Sequence, residues 1–280
     1  MSNEFRLQNY LARIGYRGAT AVNLDTLKAL QTAHLETIPF EALDPLLGRP
    51  VNLDLVSVQG KLVDGNRGGY CYEHNLLFRE ALAAIGFETT GLAGRVRWMS
   101  PPDSPLGPKT HMMLKVDLAD GAYLVDVGFG ACLLDAPLLL KTGIEQTTAL
   151  GTYRLSESGG LLWLDAKRQG GWRTLYVFDL QAQLQADYEL GNWFTSTNPA
   201  VPLTTLLIME RLSRDKRYRL VDRTLSTEAR DGEVVAERTL ASAAELGEAL
   251  RDTFRITPPV PVEEIFERAG GWSLNTSSRA

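Results

Sequence analysis

Histidine and cysteine are nearly missing from this chain: its 280 residues hold three of the first and two of the second. Cys71 and Cys132 cannot build a disulfide framework, and their scarcity fits a reducing compartment. With His34, His74 and His111 scattered, no C-x2-C or H-x3-H spacing occurs, which argues against a metal centre. No G-x-x-x-x-G-K-[ST] loop is present, so a P-loop nucleotidase is disfavoured. Positive charge is short as well: 29 Lys and Arg against 34 Asp and Glu leave a net charge of -5. That balance lacks the basic footprint of a nucleic-acid binder. An anionic small ligand stays open, because a few Arg or backbone N–H groups can hold a phosphate on an acidic protein.

Long apolar runs are also lacking. None approaches the ~18–20 residues needed to span a bilayer, and the run Leu133–Leu140 is broken by Asp135 and Pro137. The start, Met1-Ser2-Asn3-Glu4-Phe5-Arg6, has no basic segment followed by an apolar one, so no secretory signal is read. The expectation is a soluble, cytoplasmic protein with no metal, no nucleic-acid partner and no membrane partner; homo-oligomerisation is left open.

What is present is ordinary globular composition, 44% hydrophobic, enough for one large or two to three smaller domains. The first 90 residues read as helices. Leu7, Tyr10, Leu11 and Ile14 fall on one helical face. Asn23 and Asp54 are N-caps in prospect for a second and a third helix, and Ile38 before Pro39 stops the second. A fourth helix begins near Cys71 and ends at Gly86. From Phe87 the period changes to two. Thr110–Leu118 and Ala122–Val127 read as a hairpin around Ala119-Asp120-Gly121, followed by strands at Tyr153–Ser156, Leu161–Asp165 and Arg173–Phe178. Short strands at this spacing predict an antiparallel barrel or strongly curved sheet. Gln181–Leu190 reads as a helix ending at Gly191. Beyond it come strands at Leu203–Leu212, Tyr218–Val221 and Glu233–Leu240, and helices at Ser242–Thr253 and Val262–Arg268. The fold class is α+β in three parts: a helical bundle over 1–90, a β-barrel over 91–200 and an α/β lid over 201–280. Arg95–Lys109, with four prolines, reads as an exposed loop over the sheet.

The stretch that organises the rest is Arg67-Gly68-Gly69-Tyr70-Cys71-Tyr72-Glu73-His74-Asn75. A glycine pair breaks regular structure just before a cysteine that opens a helix. The helix N-terminus favours thiolate, and a free thiol pKa of ~8.5 can fall by several units there. The alternative, a buried structural cysteine, is equally open on this stretch alone.

A thiol nucleophile needs a base, and the base needs an orienting partner. His34 lies in an apolar helix and reads as a packed residue. His74 stands three residues after Cys71 near the same helical face, but no carboxylate is placed to orient it. His111 opens a strand, and the next strand carries Asp126 among apolar neighbours, where a carboxylate must be paired or hydrogen-bonded. The expected hairpin register leaves these two offset by about three residues, ~10 Å along a strand, so contact is not established by spacing. Gly128-Phe129-Gly130 after that strand is a weak ligand-loop signal.

Together, R-G-G-x-C-x-E-x-N at 67–75, Ile38-Pro39-Phe40-Glu41-Ala42-Leu43, Thr110-His111-Met112 and Asp126-Val127-Gly128-Phe129-Gly130 resemble the arylamine N-acetyltransferases in order and spacing. The resemblance covers the whole chain. It implies a papain- or transglutaminase-like cysteine core and a catalytic triad of Cys71, His111 and Asp126. It also implies acetyl-coenzyme A as co-substrate, and an arylamine, arylhydrazine or hydroxylamine as acceptor. Phe40, Tyr72 and Phe129 are expected to line the acceptor pocket, and Gly128 and Gly130 to let the pantetheine arm approach. Arg67 and Glu73 are expected to pair and fix the Cys71 loop, and Cys132 to be structural. Where relatives carry an aromatic after Asn198-Pro199, this chain has Leu203, which leaves the acceptor pocket less aromatic. The alternatives are an amide synthase using a longer acyl donor, a cysteine protease on the same core, and a non-catalytic binding protein with an ordinary thiol.

Overall fold

The computed structural model describes residues 4–101 and 103–270. Residues 1–3 of the expected bundle and 271–280 of the expected lid lie outside the described residues. Helix α1 (Leu7–Arg13) turns Tyr10 and Leu11 inward. Helix α2 (Leu24–Thr37) starts at its expected cap: Asn23 Oδ1 accepts the Thr26 N–H at 2.9 Å. It ends at Ile38, which is extended before Pro39. A two-residue strand, β1 (Phe40–Glu41), and a fully buried short helix, α3 (Leu43–Leu46), follow; the sequence announced neither. Helix α4 (Leu55–Gln59), capped by Asp54 on the Ser57 N–H, runs into a π-helical turn over Gly60–Asp64. Helix α5 (Cys71–Ile85) buries ten of its side chains and stops at Gly86, whose φ of 109° favours glycine.

The expected sheet is present as eight antiparallel strands: β2 (Glu88–Val96), β3 (His111–Leu118), β4 (Gly121–Val125), β5 (Leu138–Leu139), β6 (Glu145–Thr147), β7 (Thr152–Ser158), β8 (Leu161–Arg168) and β9 (Gly171–Phe178). They run in the order β5-β4-β3-β2-β9-β8-β7-β6 and curl into a nearly closed barrel. Its two edges meet through one side chain. Gln146 of β6 accepts from the Leu139 N–H of β5 at 2.8 Å and donates to the Leu139 carbonyl at 2.9 Å. A glutamine amide thus completes a ladder that the backbone leaves open, covering the edges that invite mispairing.

Helix α6 (Gln185–Thr197) corrects the expected stop at Gly191, which lies inside the helix. The residue is glycine for a packing reason, because a Cβ there would collide with the Tyr72 hydroxyl. The strand expected from Leu203 begins only at Ile208; Pro202–Thr204 form a 3-10 turn. Strands β10 (Ile208–Ser213), β11 (Lys216–Val221), β12 (Thr224–Glu228) and β13 (Val234–Thr239) make a second antiparallel sheet, with β12 unforeseen. That sheet is completed by β1, donated from the helical segment, with Phe40 opposite Glu210 and Glu41 opposite Met209. Helices α7 (Ala243–Glu248) and α8 (Val262–Arg268) pack Leu246 and Ile265 against Leu43, Leu46, Met209 and Leu220. The larger core lies between α5 and the barrel, gathering Leu77, Phe78 and Leu82 with Met112, Leu114 and Val125.

Candidate active site

The glycine pair before Cys71 is dictated by close approach. A Cβ on Gly68 would strike the Pro39 carbonyl, and one on Gly69 would stand 2.6 Å from Glu73 Oε2. The loop therefore lies flat between the β1 segment and the first turn of α5, and the Glu41 N–H donates to Gly69 O at 2.7 Å. Glu73 reaches back to accept the Tyr70 N–H at 3.0 Å, one half of a capping box. The expected Arg67–Glu73 pair is not what fixes this loop. Arg67 bonds Glu41 at 2.6 Å and Asp44 at 3.3 Å, while Lys61 bridges Asp44 at 2.6 Å and Glu73 at 2.7 Å. A buried carboxylate needs a nearby cation, and for Glu73 the fold supplies Lys61 from the preceding π-turn. Burial pushes the Glu73 carboxyl up despite that ammonium. Burial also works against the Lys61 charge, but Glu73, Glu41 and Asp44 overcome it and raise the ammonium's pKa.

Cys71 is 5% exposed and its Sγ lies 3.8 Å from the Thr110 carbonyl, one residue before β3. His111 opens β3, and its Nε2 meets Asp126 Oδ2 at 2.7 Å. Nδ1 is left without that partner, and Cys71 stands beside the same ring, where it favours the ring's charge. The hairpin register alone does not make this meeting. Pairing between β3 and β4 stops at Leu114 opposite Val125. The chain then leaves the ladder, and Gly128 N–H folds back onto Asp126 Oδ1 at 2.9 Å. The departure closes the offset that a continued strand would have kept.

The electrostatics follow from the burial. Burial alone would lower the His111 pKa, but the Asp126 charge and hydrogen bond, with Cys71 beside it, raise it to about 10. Burial would raise Asp126, and the His111 imidazolium, its hydrogen bond, the Gly128 N–H and the Asn75 amide hold it below its usual value. All four of its hydrogen bonds are made: Oδ2 to His111 and to the Tyr176 hydroxyl at 3.0 Å, Oδ1 to Gly128 N–H and to Asn75 Nδ2 at 3.1 Å. A cysteine sulfur, an imidazolium and a fully bonded carboxylate side by side can support nucleophilic catalysis.

The other expected residues fall around this line. Phe129 meets the His111 ring edge-on at 4.9 Å. Phe40 lies over Gly130, where a Cβ would enter its ring. A Cβ on Gly128 would stand 2.6 Å from the Cys71 Cα, so the loop after Asp126 rests directly on the nucleophile's helix turn. Leu203 is partly buried against the core that holds Phe40, Tyr72 and Cys71. Tyr72 stacks edge-on to Tyr70 at 5.6 Å and abuts α6 at Gly191. Cys132 is buried, with Arg168 Nη1 3.9 Å from its sulfur.

His74, the histidine nearest Cys71 in sequence, points away from it. Its Nε2 lies 3.1 Å from Pro39 O and its Nδ1 2.7 Å from His34 Nε2, both rings fully buried. His34 is therefore packed, as expected, and bonded as well.

Two supports of the site went unread. Asn75 Nδ2 donates to Cys71 O at 3.1 Å, to Met112 O at 2.8 Å and to Asp126, while its carbonyl accepts the Val127 N–H at 3.2 Å. The i, i+4 spacing from Cys71 could have flagged it. Tyr176 comes from β9, and nothing in its local sequence signals the role.

Comparison with known proteins shows the family. A family model described as N-acetyltransferase matches residues 23–260. The arylamine N-acetyltransferase of Mycolicibacterium smegmatis is 43% identical over 253 residues, spanning 89% of this chain and 91% of that protein. That of Escherichia coli is 40% identical, spanning 89% and 88%. The solved Mycobacterium marinum arylamine N-acetyltransferase in complex with CoA superposes with a TM-score of 0.89 at 41% identity, covering 94% of this chain and 99% of that one.

Proposed function

The chain belongs to the arylamine N-acetyltransferase family, and from that premise we propose that it carries acetyl groups from acetyl-coenzyme A to arylamines, arylhydrazines or hydroxylamines through an acetyl-Cys71 intermediate. The observation that carries this reading is the 2.7 Å His111–Asp126 pair with Cys71 beside the same ring. In the first half-reaction the Cys71 proton already rests on His111, and the sulfur of that thiolate–imidazolium pair attacks the thioester carbonyl. The coenzyme A sulfur leaves as the acetyl–Cys71 bond forms, and takes a proton from His111. In the second, the acceptor nitrogen attacks the acetyl carbon, His111 receives its proton, and Cys71 is released. Asp126 holds the ring and stabilises its charge in both halves. Base assistance of this kind is typically worth ~10²–10⁴ in rate.

The backbone N–H groups of Cys71 and Tyr72, unpaired within the first turn of α5, would serve the developing oxyanion. Phe40, Phe129 and Leu203, with Tyr72 behind them, offer a flat apolar acceptor its faces. Gly128 and Gly130 remain the stretch beside which the pantetheine arm would run, although their Cβ sides face Cys71 and Phe40. The helical segment over 1–90 supplies the nucleophile, the barrel over 91–200 the base and carboxylate, and the remainder a lid.

The test is intact mass after mixing with acetyl-coenzyme A alone. One acetyl adduct on the wild type, lost in Cys71→Ser and discharged by an arylamine, is expected. A wild-type protein that stays unmodified while releasing no coenzyme A would sink the proposal.

A further inference from the structure

The lid sheet carries a buried charge pair that the reaction does not use. Glu210 of β10 and Arg217 of β11 are both essentially inaccessible, and their side chains meet at 2.9 Å. Taking two charges out of water is costly, and an apolar pair of similar volume would often serve stability as well. The pair's other bonds give it a task. Glu210 Oε1 accepts the Leu133 N–H at 2.9 Å, and Arg217 Nη2 donates to the Leu133 carbonyl at 2.9 Å. Both backbone groups of one loop residue are held by one ion pair from another sheet.

That loop leads back to Phe129. Cys132 N–H donates to Phe129 O at 3.0 Å, closing a tight turn over Phe129–Cys132, and Leu133, the next residue, is pinned. On its other side Glu210 pairs through its backbone with Phe40, whose ring covers Gly130 in the middle of that turn. The contacts close a ring: Phe40 to Glu210 through the sheet, Glu210 to Leu133 through a carboxylate, Leu133 to Gly130 through the turn, and Gly130 back to the Phe40 ring. The strand that carries Phe40 is thus tied through Glu210 to the residue that ends the Phe129 loop.

We propose that Glu210 and Arg217 are positioning residues: they touch no reactant, and they fix the separation of Phe40 and Phe129 and so the width of the slot that receives a flat aromatic acceptor. The claim rests on the acceptor reading given above. Donor chemistry at Cys71 depends on His111 and Asp126, neither of which bonds the pair, so the two half-reactions are expected to respond differently.

The experiment uses the double variant Glu210→Met/Arg217→Met, which removes both charges together and leaves Glu228 with Arg168 and Arg219 as partners, at 2.6 Å and 3.3 Å. Three quantities are read: Cys71 acetylation by acetyl-coenzyme A, KM and kcat for a series of arylamines of increasing width, and amide hydrogen exchange over 129–133. The expected result is wild-type acetylation, an acceptor KM raised about tenfold or more with the width preference flattened, and faster exchange confined to that turn. A folded double variant with unchanged acceptor KM, or with unchanged exchange over 129–133, overturns the proposal. Exchange is independent of activity, so a wild type that fails to acetylate Cys71 removes the enzymatic reading while the positioning claim is still decided. Glu210→Gln is the second variant, for the case in which the double variant does not fold. Its amide oxygen keeps the Leu133 N–H bond, so acceptor KM is expected within about threefold of wild type; a tenfold rise there would assign the effect to charge alone and also overturn the proposal.

Discussion

His34 Nε2 and His74 Nδ1 lie 2.7 Å apart with both rings fully buried. The chain of bonds they belong to fixes every proton in it. Pro39 O can only accept, so His74 carries its proton on Nε2. His74 Nδ1 then accepts from His34 Nε2–H, and His34 Nδ1 accepts the Tyr10 hydroxyl at 2.9 Å. One added proton would set two N–H donors against each other, next to the loop that carries Phe40 and faces Gly68.

Acid should therefore weaken the fold through this pair. Burial lowers the His74 pKa to about 4, and burial, then His74 and Arg13, lowers that of His34. A depressed histidine binds more protons when unfolded. Its contribution is complete above an ordinary ~6.5 and is lost as pH falls toward about 4. On the order of 3 kcal/mol for His74 is at stake. Urea midpoints of wild type and of His34→Leu/His74→Leu between pH 8 and 4 should converge as pH falls; curves that stay parallel would contradict the assignment.

His111 should behave in the opposite sense. Its pKa is raised to about 10, so the imidazolium's stabilisation is complete below ~6.5 and is lost as pH rises through about 10. The ring's NMR resonances should report a charged imidazole at pH 7–9. Asp126→Asn should bring its titration down into or below the ordinary histidine range. It should also slow acetyl transfer by ~10²–10⁴.

Asn75→Leu should cost stability as well as rate. It leaves the Met112 carbonyl and the Val127 N–H, both bonded by Asn75, without that partner. Each buried orphan costs about 1–3 kcal/mol. A fall of several degrees in Tm is expected, about 2–4 °C per kcal/mol for a chain of this size class. A shift under about 2 °C would show that neighbouring groups take over both bonds.

Gly128→Ala tests close approach. The new Cβ would stand 2.6 Å from the Cys71 Cα and 2.8 Å from Asn75 Nδ2, and only a shift of the loop or of the α5 turn can relieve it. Acetyl-Cys71 formation should fall by at least ~10-fold. An unchanged rate in a folded variant would mean that the loop carries no constraint on the nucleophile.

Much of the fold could be read locally. Asn23, Asp54 and Gly86 mark helix ends by their own hydrogen bonds or φ, so neighbours in sequence suffice. Alternation predicted the strands and the barrel, but not the side chain that joins its edges, because Gln146 acts across them. Gly191 was misread as a stop because the reason for a glycine there is Tyr72, over a hundred residues away in sequence. The Arg67–Glu73 pairing failed likewise: the spacing named the charges, and the fold chose Lys61, Glu41 and Asp44 as partners.

The sequence by itself determined where a cysteine would stand at a helix start. A glycine pair, a helix start and an i+4 asparagine are matters of local sterics and helical pitch. The four linked motifs also named the family, to which the comparisons assign the chain. Only the tertiary structure decided the rest: that His111 and not His74 faces Cys71, and that Asp126 reaches His111 despite the hairpin's offset. The reason is physical. Strand register is fixed by pairing, but where pairing ends, here after Val125, depends on what the departing chain can bond and bury. For Asp126 those partners are Asn75, Tyr176 and Gly128, drawn from three separate parts of the chain.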